Sequence, residues 1–508
     1  MSDQEIAQRR KAVHRDSALT VLVGPLKFIV PTLSYVFIYP LMISRNGLDV
    51  VGVWSLLMAT GTFIGVVDVG FSQLLARETG SDMGSSSIRE AHADYTASVR
   101  VYIALLVLLT AVFLILKDSF LPLFGGVYPA GALTVSIVLV LAGAVIQLIG
   151  RLDSAILSAY QDNYIVQMVT AVAPVFTYSF ALAGALLYRP IEGLAIGTVL
   201  SGLFTLIVLR FRLSSSHGQW KAAKAAQPLD ETRRRLGALV RRGLYLYGSS
   251  VGLFIRGPVF RFVVAAALGL QATAVLDIAM RLTQAVRDII ASGFNVLYPS
   301  FSYLHRNSDR ESIIELMQVS LMVLLPLGGA ALGLLAAVAD HVLSLWLGDY
   351  PAELQGATRV LALWQIITLA NVPFWFLLQA THHEKAAAAS VWVHTVFVFL
   401  AYPVHLASGL DITDLLVYWT VTSVLTQCLI YYHIQTKLGL LWEVILNARV
   451  AALLAMVSVF FSWSLLLPMG QSLGRSALFS GVGLLLFSIT SALVVGKPVY
   501  NFIRSARA

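Results

Sequence analysis

Cysteine is almost missing from this chain. Cys428 is the one among 508 residues, so no disulfide can form within it. Charge is scarce too: Asp, Glu, Lys and Arg make up 12% of residues against 58% that are hydrophobic. With a mean hydropathy of +0.79, a water-soluble chain would carry more apolar surface than it could bury, so lipid is the expected solvent. Long polar stretches are lacking except near residues 210–242, which excludes an appended soluble enzyme domain with its own core. Site signatures are lacking as well. His382, His383 and Glu384 open like a zinc-protease helix, but Ala387 stands where its second histidine belongs. Gly481-Val482-Gly483 has neither the third glycine nor the strand context of a dinucleotide loop, and no Walker sequence is present. No metal and no cofactor is therefore expected, and any energy requirement falls to an ion gradient or the membrane potential.

What is there in abundance is long apolar runs. Fourteen stretches can cross a bilayer, near 18–41, 50–74, 97–117, 131–157, 164–188, 192–211, 243–267, 272–300, 314–346, 357–380, 386–407, 413–435, 445–467 and 476–496. Each supplies about 20 or more mainly apolar residues, enough at about 1.5 Å per residue to span about 30 Å of hydrocarbon. Membrane β-strands would be half as long and alternating, so helices are expected and the fold class is all-α and polytopic.

The net charge of +8 sorts by membrane side. With the N-terminus inside, about 24 of the 35 Lys and Arg residues fall on the cytoplasmic side, about 4 outside and about 7 within spans. The inside set includes Arg9, Arg10, Lys11, Arg15, Arg306, Arg310, Lys497, Arg504 and Arg507; outside lie Arg45, Lys117, Arg189 and Arg475. Shifting the count by one span inverts this asymmetry, so both termini are expected in the cytoplasm. The first apolar stretch is too long for a signal peptide and is expected to be a retained helix.

The polar interval carries Arg210, Arg212, Lys221, Lys224, Arg233, Arg234, Arg235, Arg241 and Arg242. It reads as a cytoplasmic linker with a basic amphipathic helix that meets anionic membrane lipids; no aromatic or motif context points to nucleic acid. The expected organisation is a cytoplasmic segment 1–17, a first lobe 18–212, the linker 213–242, a second lobe 243–436, and two further helices with a cytoplasmic tail at 437–508. An internal echo supports two equivalent lobes: residues 46–59 align without gaps to 268–281, pairing Gly47 with Gly269, Leu48 with Leu270, Val53 with Val275 and Met58 with Met280. Both copies enter from the same side, so the six-helix bundles are related by an axis along the membrane normal, with a cavity between them.

The run P-L-M-I-S-R-x-G, then V-G-V-W-S-L, D-V-G-F and A-R, across Pro40 to Arg77, resembles the opening of bacterial polysaccharide flippases of the multidrug/oligosaccharidyl-lipid/polysaccharide superfamily. Agreement continues in order at Arg151 with A-Y-Q (159–161), A-L-G-L-Q-A-T-A-V (267–275), Y-P-S-F-S (298–302) and L-W-L-G (345–348). The resemblance implies the fold of that superfamily and its multidrug exporters, two six-helix bundles that rock about a central cavity. It implies transport of a lipid-linked glycan across the bacterial cytoplasmic membrane, in company with membrane lipids and a polysaccharide polymerase or export machinery. The rival readings are a lipid II flippase, a multidrug or cation antiporter and, from another class, a membrane glycosyltransferase or polymerase. Against them stand the missing D-A-F and E-G-A-type signature between 46 and 80, a first span that offers Lys27 and no carboxylate, and short outer loops.

An ionisable side chain in a span costs about 2.5 to 3.5 kcal/mol, so those present are site candidates. Arg256 and Arg261 lie in the seventh span and Asp277, Arg281, Arg287 and Asp288 in the eighth. With a turn near Gly269, Arg261 and Asp277 share one depth and Arg256 and Arg281 another. The first pair neutralises itself; the second repels unless Asp277 or an external anion intervenes. Asp277, Arg281, Gln284 and Asp288 fall on one helical face, expected to look into the cavity. Guanidinium forks suit a pyrophosphate. Lys27, between Pro25 and Pro31, either joins them from the other lobe or snorkels to the surface. Asp68, Arg151 and Asp153 are candidate gate or packing ion pairs. Pro25, Pro31, Pro40, Pro258, Pro326 and Pro373 are candidate bending points.

Overall fold

Backbone amides find no water in hydrocarbon, so an apolar chain closes its hydrogen bonds within each helix. The computed structural model is helical between short turns throughout the residues it describes, which are 26–65, 85–160, 162–216, 255–294, 297–409 and 411–466, with single positions at 23, 72, 75 and 252. In chain order these are α1 (Leu26–Asn46), α2 (Leu48–Gly65), α3 (Ser85–Phe120), α4 (Ala130–Ala159), α5 (Asn163–Leu186), α6 (Pro190–Ser216), a π-helical turn (Ile255–Val259), α7 (Phe260–Ser292), α8 (Leu297–Arg306), α9 (Arg310–Ala337), α10 (Ala339–Leu347), α11 (Ala352–Ala370), α12 (Val372–Ala380), α13 (Glu384–Ser408), α14 (Ile412–Leu438), α15 (Leu441–Ile445) and α16 (Ala448–Leu466). Nine described helical stretches are long and apolar enough to cross a membrane. Every expected span from the first to the thirteenth is helical at least in part; the fourteenth, 476–496, lies outside the described residues, as do residues 1–17 and most of the linker. Helix α3 exposes Ile103, Val107, Leu108 and Ile115, side chains that water would penalise and lipid accepts. The chain is a multi-pass membrane protein.

Contacts divide it into two units, Met1–Ala274 and Val275–Ala508. In the first, α6 packs along both α4 and α5 because it carries small residues toward each. A Cβ on Gly193 would lie 2.3 Å from the Phe180 carbonyl, and one on Gly197 2.7 Å from that of Thr177. Only glycine permits that approach, which replaces the hydrophobic drive that lipid removes with van der Waals contact. The Thr177 hydroxyl donates to the Gly197 carbonyl at 3.3 Å. Helix α1 lies along α5, where Tyr35 stacks on Tyr39 and its hydroxyl hydrogen-bonds that of Tyr178.

In the second unit α9 packs against α11 and α16, around Phe301, Met317, Leu324, Leu332 and Leu453. The expected thirteenth span therefore lies on the ninth. Arg310 at the start of α9 pairs with Glu443, and Gln318 Nε2 donates to the Glu443 carbonyl at 2.9 Å. Helices α13 and α14 run along one another, α14 along α11, and α12 against α13.

Several boundaries depart from expectation. Helix α3 has 36 residues, about 54 Å long, because a polar segment from Ser85 stays helical before the apolar run begins. The eighth span ends at Ser292 and resumes as the separate α8. The ninth breaks at Val338, which closes α9 and opens α10. The tenth breaks at Asn371, and Pro373 stands in the first turn of the helix that follows, where its missing amide hydrogen has no partner to lose. Pro258 lies in the π-helical turn, whereas Pro31, Pro40 and Pro326 lie inside unbroken helices; Pro25 lies outside the described residues.

Asp309 caps α9, accepting from the Ser312 amide at 3.0 Å. Hydrogen bonds from Ser312, first from its side chain and then from its backbone, hold the Asp309 carboxyl below its usual range. A depressed pKa stabilises the fold above the ordinary carboxylate value and loses that contribution as pH falls through the lowered one. Asp309→Ala is expected to raise amide exchange in residues 310–313 at neutral pH and to leave it unchanged in strong acid, as hydrogen-exchange mass spectrometry will show.

Candidate translocation site

The two glycines paired by the internal echo have the same backbone geometry: φ is +84° at Gly47 and +85° at Gly269. Gly47 is the single residue between α1 and α2, and Gly269 interrupts α7 with ψ at −176°. Other residues rarely adopt this conformation, so the two aligned segments each turn a corner on a glycine of the same backbone geometry. Gly269 is thus the turn on either side of which Arg256, Arg261, Asp277 and Arg281 lie.

Before the corner, in the first unit, Arg256 lies on the π-helical turn with Pro258, and Arg261 on the first turn of α7; both are half-buried. π-turns are uncommon and gather at functional positions. Beyond the corner, in the second unit, Arg281 Nε donates to Asp277 Oδ2 at 2.6 Å; the Asp277 side chain is 0% exposed and that of Arg281 17%. Gln284 is exposed. One turn further, Arg287 Nη1 meets Asp288 Oδ1 at 2.7 Å, with both side chains partly exposed. The face predicted from spacing is thus a polar stripe that is sealed at Asp277 and opens by Gln284. Asp277 is positioned to hold the planar fork of Arg281 in one orientation. A guanidinium carries five donors in fixed directions, of which Nε is the one that meets Asp277 here. Such a group can grip a phosphate oxygen pair that a lysine would meet only as a point charge.

Lys27 is half-buried on α1, with Nζ 5.0 Å from the centre of the Phe28 ring. Asp68 lies outside the described residues. Arg151 and Asp153 part company: Arg151 is exposed on α4, while the fully buried Asp153 accepts from Arg210 Nε at 3.1 Å. Arg210 also hydrogen-bonds the Tyr95 hydroxyl and lies over its ring, so α3, α4 and α6 are tied through one side chain. Beside it, Arg212 makes a two-pronged contact with Asp162 at 3.0 and 3.1 Å. Arg210 and Arg212 look like part of the basic linker in the sequence and Tyr95 has no signal there, because partners 57 and 115 residues apart leave no local pattern. Arg359 likewise has no sequence signal. It is buried on α11 and donates to the Ala336 carbonyl at 3.2 Å, one of the last carbonyls of α9, where a cation offsets the helix dipole. Among the described residues no group of three or more His, Cys, Asp or Glu side chains could hold a metal.

A family model described as polysaccharide biosynthesis protein matches residues 49–355. No curated protein sequence matches the chain. Among solved structures, a lipid II flippase MurJ in an inward closed conformation is similar at a TM-score of 0.66 and 11% identity, covering 93% of this chain and 99% of that one. An inward-facing multidrug resistance MATE family transporter of the MOP superfamily is similar at 0.60 and 16% identity, with 86% and 96% covered. An outward-facing structure of a transporter of that kind follows at 0.56 and 17%, with the same coverage. At these identities the likeness establishes a shared fold.

Proposed function

Because the chain belongs to the polysaccharide biosynthesis protein family, we propose that it is a flippase for a glycan repeat unit carried on undecaprenyl pyrophosphate. It moves that unit across the bacterial cytoplasmic membrane by alternating access, with both termini in the cytoplasm. The observation that carries this reading is the stripe on α7 from the Asp277–Arg281 pair to the exposed Gln284. Burying a charge in a span costs about 2.5 to 3.5 kcal/mol on insertion scales, and a pair serving only to fix packing has no need of an opening polar face. A phosphorylated headgroup of two negative phosphates is a fitting guest for the guanidinium of Arg281 in the second unit, and Arg256 and Arg261 offer the same chemistry in the first. The glycan itself is fully hydroxylated and needs only hydrogen-bonding partners such as Gln284. Lys27 adds positive potential from the first helix. An ion gradient or the membrane potential supplies the energy.

The test is translocation in proteoliposomes with a fluorescent undecaprenyl-pyrophosphate oligosaccharide, read by how fast a membrane-impermeant reductant bleaches the label. Protein-containing vesicles are expected to expose inner-leaflet label at least tenfold faster than empty ones. No acceleration sinks the proposal. Acceleration of lipid II alone would reassign the substrate, uptake of cationic dyes alone would make it a drug exporter, and lengthened glycans would make it a transferase.

A further inference from the structure

Where α9 gives way to α10 and α11, polar side chains gather. Asp340 stands in the first turn of α10, and Tyr350, in the loop between α10 and α11, donates its hydroxyl to Asp340 Oδ1. Arg359 on α11 is 6% exposed and gives its Nε hydrogen to the Ala336 carbonyl of α9 at 3.2 Å. Asp340 and Tyr350 both act electrostatically on this guanidinium, so the end of α9, the start of α10, the loop and α11 meet in one cluster, all of it inside the second unit. One turn before Arg359 stands Gln355, also 6% exposed. Residues four apart share a helical face, whereas Gly356, beside Gln355, is the residue turned toward Thr413 on α14.

These groups do not satisfy one another. Gln355 Nε2 is buried and, among the described residues, has no hydrogen-bond partner. A guanidinium has five N–H donors, and Arg359 uses one of them, at Nε. Arg359 and Asp340 lie within electrostatic reach but form no ion pair. Tyr350 occupies Oδ1 and the main-chain carbonyl of Asp340, which leaves Oδ2 as an acceptor. An unpartnered buried amide is costly, and a guest that brings acceptors to Gln355 and Arg359 relieves that cost. The kind of guest follows from the charges. Residues 338–358 hold Asp340, Asp349 and Glu353 and no Lys or Arg, so an anion is repelled from Arg359 by its surroundings. A cation would find donors where it needs acceptors. A hydroxyl both donates and accepts, so a neutral ring of neighbouring hydroxyls meets both kinds of group.

We propose that Gln355, Arg359 and Asp340 form a saccharide-binding subsite. Gln355 Nε2 and the terminal nitrogens of Arg359 donate to sugar hydroxyls, and Asp340 Oδ2 accepts from one. A few placed polar groups of this kind are what fixes a small molecule in a protein site. With both termini in the cytoplasm, the ninth expected span runs outward and the subsite lies at the outer surface, where a translocated glycan leaves the protein. That location and role rest on the flippase reading; the binding of a sugar does not.

The binding arm is saturation-transfer NMR on the purified full-length protein with a mixture of glucose, galactose, N-acetylglucosamine and N-acetylgalactosamine. The wild type is expected to transfer magnetisation to at least one of these sugars, and Gln355→Leu to bind it about fivefold more weakly or worse, the worth of one hydrogen bond. The same substitution removes an unpartnered buried amide, so its denaturation midpoint should equal or exceed that of the wild type. A lowered midpoint would make Gln355 a packing residue and overturns the proposal. So does any of three binding results: no transfer to any sugar, equal binding in Gln355→Leu, or displacement of the sugar from the wild type by inorganic phosphate. In the transport arm, translocation of the fluorescent lipid-linked oligosaccharide should slow in Gln355→Leu; equal rates overturn the assigned role. Sugar binding that the variant loses, with no translocation by either protein, contradicts the flippase reading alone.

Discussion

Replacing Gly52 by alanine is expected to destabilise the first unit strongly. A Cβ there would lie 2.3 Å from the Leu270 carbonyl oxygen, 2.9 Å from its carbon and 3.0 Å from its Cβ. The obstacle is mostly backbone, which cannot swing aside as the tip of a side chain can. Leu270 packs its side chain over Gly125, and its own backbone follows the corner fixed by Gly269. Overpacking of this kind costs about 1 to 3 kcal/mol, and here the upper end is expected since the obstructing atoms are mostly backbone. Gly131→Ala is the control: nothing lies within 4 Å of the added atom, so stability should change by less than about 0.5 kcal/mol. Gly269→Ala tests the corner itself, with an expected cost of about 1 to 3 kcal/mol from backbone strain and no clash, its Cβ having open space. Chemical denaturation in detergent micelles measures all three. A Gly52→Ala protein as stable as Gly131→Ala would mean that the close contact of α2 with Leu270 is not kept in the membrane.

What the sequence could reveal follows from how far each signal reaches. Apolar runs announce their own helices because the membrane makes hydropathy a local quantity, and Arg281 found its carboxylate because Asp277 is one turn away on the same helix. The pairing of Gly47 with Gly269 was legible from a few identities, and their shared positive φ gives that alignment a physical cause. Where two helices must meet, the signal failed. Asp153 lies two residues from Arg151, which on a helix is nearly the opposite face, so its partner had to come from α6. Continuity also misled. An apolar window does not register a cap, so the break at Asn371 was hidden, although Pro373 was noted; conversely the polar beginning of α3 lay outside any apolar window and still folded as helix. His394 stands in the eleventh expected span together with Tyr402 and His405. Which atom it touches depends on α14, 25 residues further on.

Arg281→Ala is expected to cost both stability and transport, and the two must be separated. Asp277 is 0% exposed, so removing the guanidinium deprives a buried carboxylate of its charge partner, an outcome that costs about 3 to 5 kcal/mol. Lost translocation in this variant would therefore prove little. Neutralising both partners, Asp277→Asn with Arg281→Gln, removes the buried charges together while preserving shape and hydrogen-bonding groups, and replacement of a whole buried pair is often nearly neutral. The double variant is expected to regain most of the lost stability, with a coupling energy between the sites of about 0.5 to 3 kcal/mol. Its translocation should nevertheless remain low. A charge-assisted hydrogen bond to phosphate is worth about 1.5 to 3 kcal/mol, which predicts a fall of about 10- to 150-fold, and Arg281→Lys should recover only part of it since a lysine offers charge without the planar fork. Arg256→Ala should show a similar loss of translocation. A stable double variant that moves the lipid-linked glycan at the wild-type rate would reduce the Asp277–Arg281 pair to a packing device and leave the phosphate to be held elsewhere.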